Sequence, residues 1–376
     1  MSRLEFLPHF AARAAVAGIA TLMWAGVANG AGSEKVLNLY NWSEYIGEDT
    51  VRNFEQETGI EVHYDIFDSN EILLSKMIAG HSGYDVIVPS SDFGRIMIDG
   101  GLVQKLDRTL LPNWQNLSQP VMRLMSKLDP GNRYMVPWMG GSVSVAYNID
   151  KVKAALGAEP IPDDPYELVF NPKYASQLKS CGISMLDVAS DVFPAALVYL
   201  NRRAYSNNPA DYADAVTMLQ KVRGDIGSFS ANGYIVDLAS GRICVALGYG
   251  GDFNNAIQRA KSAGNHVRIT APLPPRGGPF GFDSMMIPAD APHVANAHKW
   301  IDYIMRADVQ AAITNKVKFT SPNAAARKLI LPDLLANPIA FPPDDYLATK
   351  AQFYEVRLPA TRRLMTRAFT RFKSGM

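Results

Sequence analysis

Between residues 36 and 80 the apolar positions change their spacing from one short segment to the next. Residues 36–40 form an apolar run broken only at Asn38, which predicts a buried strand. Glu48, Asp49 and Thr50 then precede Val51, Phe54 and Thr58 at helical spacing. Gly59 stands where a left-handed C-terminal cap falls. Residues 60–66 alternate apolar with polar, the pattern of a second strand. Asp68, Ser69 and Asn70 offer capping groups to a second helix over 71–79, closed by Gly80. Strand, helix, strand, helix predicts an α/β domain with a largely parallel sheet.

The same reading extends along the chain. Residues 84–88 predict a third strand that ends in Pro89-Ser90-Ser91-Asp92, and 143–148, 183–186, 243–247, 267–271 and 282–287 predict others. Helical spacing runs over 192–200, 234–238, 292–305 and 307–316, and the tail after Tyr346 reads as helical and basic. Residues 110–117 are irregular, and Pro137 with Gly140-Gly141 marks a crossing between two lobes. At the front, Arg3 and Arg13 precede an uncharged apolar stretch over 14–28 and then small residues. This predicts a secretory signal peptide over about 1–31, since a bilayer span needs about twenty apolar residues. The mature chain is therefore expected to be exported and soluble.

Composition narrows the function. The chain has 376 residues, 48% hydrophobic and 19% charged, the size and balance of a two-domain globular protein. A net charge of +1 gives no basic field for nucleic acid or an anionic membrane. Two cysteines, Cys181 and Cys244, each open an apolar strand-like run. In an oxidising compartment they are either a disulfide or two buried thiols, depending on whether the strands are neighbours.

Chemistry concentrates in a few loops. In open α/β sheets ligands lie beyond the carboxyl ends of strands. The first strand delivers Trp42, Ser43, Glu44 and Tyr45 there, aromatics bracketing a hydroxyl and a carboxylate, a set that suits an organic cation. The same aromatics could equally cover the sheet edge. Ser90 and Ser91 emerge at the third strand's end, where Ser91 or Asp92 could simply cap a helix. Asp187 and Asp191 are natural helix-start acids. Tyr249 and Asp252, within a glycine-rich turn lacking any phosphate-loop lysine, repeat the aromatic-plus-carboxylate theme. Asp283 lies inside an apolar strand and needs a partner. The six histidines are scattered, and no HExxH, GxSxG or paired-cysteine cluster appears, so neither a catalytic nucleophile nor a metal site is indicated.

The blocks YNWSEYI, FEQETGIEVHYDIFDSNE, YDVIVPSSDF, YNIDKVKAALG, LKSCGISMLD, ICVALGYGGD, FDSMMIPADAP and TSPNAAARKL, in this order, resemble those of bacterial periplasmic polyamine-binding proteins. Those proteins are the putrescine/spermidine substrate-binding components of ABC transporters. The resemblance runs from about Val36 to the end. It implies an α/β, two-lobe periplasmic binding protein fold, each lobe a central mixed sheet flanked by helices, with the ligand in the interlobe cleft. The implied division is 35–139 plus 258–324 for the first lobe and 143–254 plus 329–376 for the second. Crossings are expected near 140–142, 255–257 and 325–328. The resemblance also implies a Cys181–Cys244 disulfide.

It further implies that Trp42, Ser43, Glu44, Tyr45, Ser90, Asp191, Tyr249, Asp252, Asp283 and Phe319 contact the ligand. Asp252 and Asp283 would hold one terminal ammonium and Glu44 or Asp191 the rest, while Trp42, Tyr45 and Tyr249 sandwich the methylenes. The implied partners are a small polyamine and inner-membrane ABC permease subunits, with no nucleic acid, no cofactor and a monomeric state. The chain departs from its relatives at Tyr249, where Trp is common, at Gly281, where an aromatic is common, and at Phe319, where Tyr is common. Gly281 is expected to open room for a longer or bulkier ligand. A binder of another organic cation or a polyamine sensor would share this fold, and an exported enzyme acting on a small amine is a more distant reading.

Overall fold

The computed structural model describes residues 35–375, so the expected signal peptide lies outside the described residues. The first four predicted elements form as the pattern demands. β1 (Val36–Trp42) pairs in parallel with β2 (Glu61–Phe67) and β3 (Val86–Ile87), with α1 (Thr50–Thr58) and α2 (Asn70–Ala79) as crossovers. Gly59 takes the left-handed cap of α1, and the Ser69 side chain accepts from the Ile72 N–H at the start of α2. Both faces of β1 are covered, while the edge strand β2 leaves one face open to solvent. Leu37 and Leu39 point into a core with Phe54 and Trp300, while Tyr40 joins Phe67, Leu73 and Met77 on the other face. That explains why β1 reads as a nearly continuous apolar run. α3 (Ser91–Asp99) follows β3, and β4 (Val103–Gln104) later pairs with β11 (Ile287–Pro288).

A larger sheet carries the second lobe. β5 (Val136–Asn148) lies antiparallel to β8 (Val245–Tyr249), which continues in parallel to β6 (Ile183–Leu186) and β7 (Ser228–Ser230). β9 (Ile269–Thr270) pairs with the far end of β5. β10 (Gly278–Met285) runs antiparallel to the first half of β5, and β12 (Ala351–Phe353) adds to β10 in parallel. This lobe has its own core, built on β5, β6 and β8 and including Phe193, Tyr212, Phe253 and Phe369.

The expected crossings fall at different kinds of place. Residues 140–142 lie inside β5, which runs unbroken between the lobes. Residues 255–257 lie inside the helix Gly250–Ala263, which contacts β5 and β8, and β9 then still pairs with the second-lobe sheet. The chain therefore stays on that sheet past residue 257 and returns through β10. Residues 325–328 lie in a short 3-10 turn, Ala325–Leu329. The tail also differs from the helical expectation. Residues after 346 include β12 and extended chain, and the basic helix begins only at Pro359, running to Ser374. Cys181 and Cys244 form a disulfide, since each precedes one of the adjacent parallel strands β6 and β8. No helix among the described residues is long and apolar enough to cross a membrane.

Candidate functional site

All ten candidate residues line one cavity of about 260 Å³ between the lobes. Most reach it from the end of a strand or the start of the following helix; Asp283 lies within the strand Gly278–Met285 and Phe319 follows the helix Ala307–Val317. The turn after β1 supplies Trp42, Ser43, Glu44 and Tyr45, with Glu44 in a left-handed backbone conformation (φ 53°), strain of about 1–3 kcal/mol that the surrounding fold sustains. The Trp42 indole N–H donates to the Val88 carbonyl at 2.9 Å, and its ring rests on Phe67. Trp42 thus keeps a face toward the cavity while tethered to the sheet. Tyr45 meets Phe319 edge-on at 5.0 Å. Phe319 lies so close to Gly251 that a Cβ there would sit 2.0 Å from its ring. This explains one glycine of the turn after β8.

The carboxylates are positioned by hydroxyl groups. Ser90 donates to Asp283 at 2.7 Å, and the Asn70 side chain both donates to the Ser90 hydroxyl and accepts from its N–H, each at 3.0 Å. Tyr234 donates to Asp252 at 2.5 Å and accepts from the Tyr249 N–H at 3.1 Å. Tyr249 donates to Asp191 at 2.9 Å. Asp191 is at once a first-turn residue of the helix Ala189–Tyr199 and a wall of the cavity, so its helix-start and ligand-facing readings coexist. Glu44 differs from these three. Its side chain is exposed at the rim, paired with Arg259 at 2.7 Å.

Three carboxylates therefore face one enclosed space. Each keeps part of its surface in the cavity, while protein walls off bulk water on the other sides. Desolvation pushes Asp191 and Asp252 up to about 7 and Asp283 up to about 6, against the lowering effect of their hydroxyl donors. Such a cavity holds negative charge at a cost and favours a cation that restores the ionised form. Among the described residues no cluster of three or more His, Cys, Asp or Glu stands where a metal could be held.

The structure also shows what the sequence missed. In the sequence Asn70 reads only as a capping group and Tyr234 only as the start of a short helix. Tyr354, on the extended tail, lines the cavity as well. It corrects the expectation for Gly281: a Cβ at that position would lie 2.2 Å from the Tyr354 ring. The space that a side chain at 281 would take is filled by Tyr354, from the extended chain just after β12.

Comparison with known proteins agrees with this geometry. The family described as bacterial extracellular solute-binding protein matches residues 49–343. The chain is 42% identical to the putrescine-binding periplasmic protein SpuD of Pseudomonas aeruginosa (strain UCBPP-PA14), over 93% of this chain and 95% of that protein. It is also 42% identical to the putrescine-binding periplasmic protein PotF of Escherichia coli (strain K12), covering 94% and 95%. The spermidine/putrescine ABC transporter substrate-binding protein PotD of Streptococcus pneumoniae shares the fold, with TM-score 0.74 and 22% identity over 90% of this chain and 99% of that one. With two lobes, an acid-lined cleft and these relatives, the chain belongs to the bacterial extracellular solute-binding proteins, alongside the putrescine-binding periplasmic proteins.

Proposed function

We propose that the protein captures a small polyamine in the periplasm and delivers it to an inner-membrane ABC permease, acting as a monomeric binder and not as an enzyme. The observation that carries this reading is the set of three desolvated carboxylates, Asp191, Asp252 and Asp283, facing one cavity with aromatic walls. Ammonium groups would take the carboxylates, and Trp42, Tyr45, Tyr249 and Phe319 would pack against the methylenes. Asp283 belongs to the wall shared with Ser90, and Asp191 and Asp252 to the opposite one. A diamine contacting both walls completes its interactions only when the lobes are together, so binding favours closure, the form a permease would engage. Glu44, already paired with Arg259, would act at the rim.

A thermal-shift series tests the class of ligand. Protein refolded to strip carried ligand should gain stability with putrescine or a related amine and none with 1,4-butanediol, which has the same chain length without charge. Equal shifts with the diol, or none with any amine, would contradict the reading.

A further inference from the structure

The interlobe space is divided in two. Beside the acid-lined cavity lies a groove of about 460 Å³, and the two compartments share adjacent residues: Asn70 lines the first and Glu71 the second, Asp191 the first and Ser190 the second. The separating material is a small cluster. Tyr354 faces the cavity and meets Tyr205 edge-on at 5.9 Å. The Arg357 guanidinium lies over the same Tyr205 ring, 5.3 Å from its centroid, and faces the groove. Arg357 Nη2 pairs with Asp92 at 3.3 Å, and Nη1 donates to the Ser190 carbonyl at 3.0 Å. Both side chains of the pair are buried, at 2% and 8% exposure. Asp92 lies in the first turn of α3 and Arg357 just before the C-terminal helix, so the pair ties one lobe to the other.

Stability alone does not account for a charge pair at this place, because desolvating both ions offsets most of what their attraction returns. Its position at the junction of the two compartments does suggest a role. Building on the polyamine reading, we propose that Tyr354 and the Arg357–Asp92 pair form a partition that sets the length limit of the cleft, admitting a diamine and excluding longer polyamines. The exclusion is steric and electrostatic. Tyr354 fills the space that a side chain at position 281 would take and walls the cavity there. A further ammonium pushed past it would meet the permanently charged Arg357, and then Arg362, Arg363 and Arg367 along the groove. Asp92 is spent on Arg357, and Glu71 is the one carboxylate lining the groove among the described residues.

The test is calorimetry of refolded, ligand-free protein with putrescine, spermidine and spermine. It compares wild type, Tyr354→Ala, and the double variant Asp92→Asn/Arg357→Gln, which removes both charges together and leaves neither buried alone. Thermal melts establish that each variant is folded. Wild type should prefer putrescine over spermidine by about tenfold or more, and each variant should shrink that preference at least about fivefold. A preference unchanged in both folded variants, or wild type taking spermidine as tightly as putrescine, overturns the partition while leaving the polyamine reading intact. Failure of wild type to bind any of the three overturns that reading and the partition with it.

Discussion

The acid-lined cavity and the arginine-lined groove occupy the same interlobe space with opposite charge. In the cavity, carboxylates from both lobes stand among aromatic rings, each holding a hydroxyl donor. In the groove, Arg357, Arg362, Arg363 and Arg367 stand beside Leu74 and Ile78. Both are concave and both lie between lobes, so shape alone would not choose between them. Charge and its desolvation do: only the cavity presents buried acids that a cation would relieve.

That contrast breaks most sharply if the cavity acids prove idle. Asp252→Asn and Asp283→Asn should each weaken amine binding by at least about 2 kcal/mol, since each leaves a desolvated ammonium short of its counter-charge. Wild-type affinity in both, measured by calorimetry, would remove the basis for the site.

Acidity sharpens the contrast next. Asp191 and Asp252 titrate at about 7 and Asp283 at about 6, so lowering pH neutralises the cavity while the amine stays charged. Affinity should fall roughly tenfold or more between pH 8 and 5.5. The groove arginines do not titrate in this range and add no slope. Stability of the empty protein should run the other way. These folded-state values lie above the unfolded carboxylate value of about 4, so the folded state holds more protons between pH 4 and 7. Their contribution is fully present below that window and is lost as pH rises through it. Melts of the empty protein at pH 5 and 8 should show the trend, and saturating amine should flatten it.

Smaller effects separate the inner acids from the rim. Tyr234→Phe removes the hydroxyl that positions Asp252 and should weaken binding by about 1 kcal/mol. Glu44→Gln should cost less than about 1 kcal/mol, because that exposed carboxylate already pairs with Arg259. A larger loss for Glu44 than for Tyr234, read by calorimetry, would move the cation's main counter-charge to the rim.

The local periodicity of the sequence carried β1, α1, β2 and α2, because each buries a face whose spacing is intrinsic to the element. It failed where pairing is long-range. The first half of β5 contains Pro137, Gly140 and Gly141, which read as a crossing between lobes and not as part of a strand. There the strand is sustained by antiparallel pairing with β10, whose register shifts next to Pro137, a residue without an N–H to donate. β12 has only three residues, and its partner lies about seventy positions earlier, so nothing local sets it apart from the helix expected over the tail. Tyr354 was missed for that reason. Asp191 was visible locally only as a helix-start acid. Its place on the cavity wall came from family resemblance, as did that of Phe319, which lies before Ser321-Pro322 with no distinguishing local pattern.

The most direct measurement is calorimetric titration of the refolded protein at pH 6.5 with putrescine, in two buffers of different ionisation heat. Binding at micromolar affinity or tighter, with heats that differ between buffers in the sense of proton release, is the expected result. It would show a cation ionising the buried carboxylates as it enters. Absence of heat with putrescine, cadaverine, spermidine, spermine, agmatine and arginine alike would contradict it.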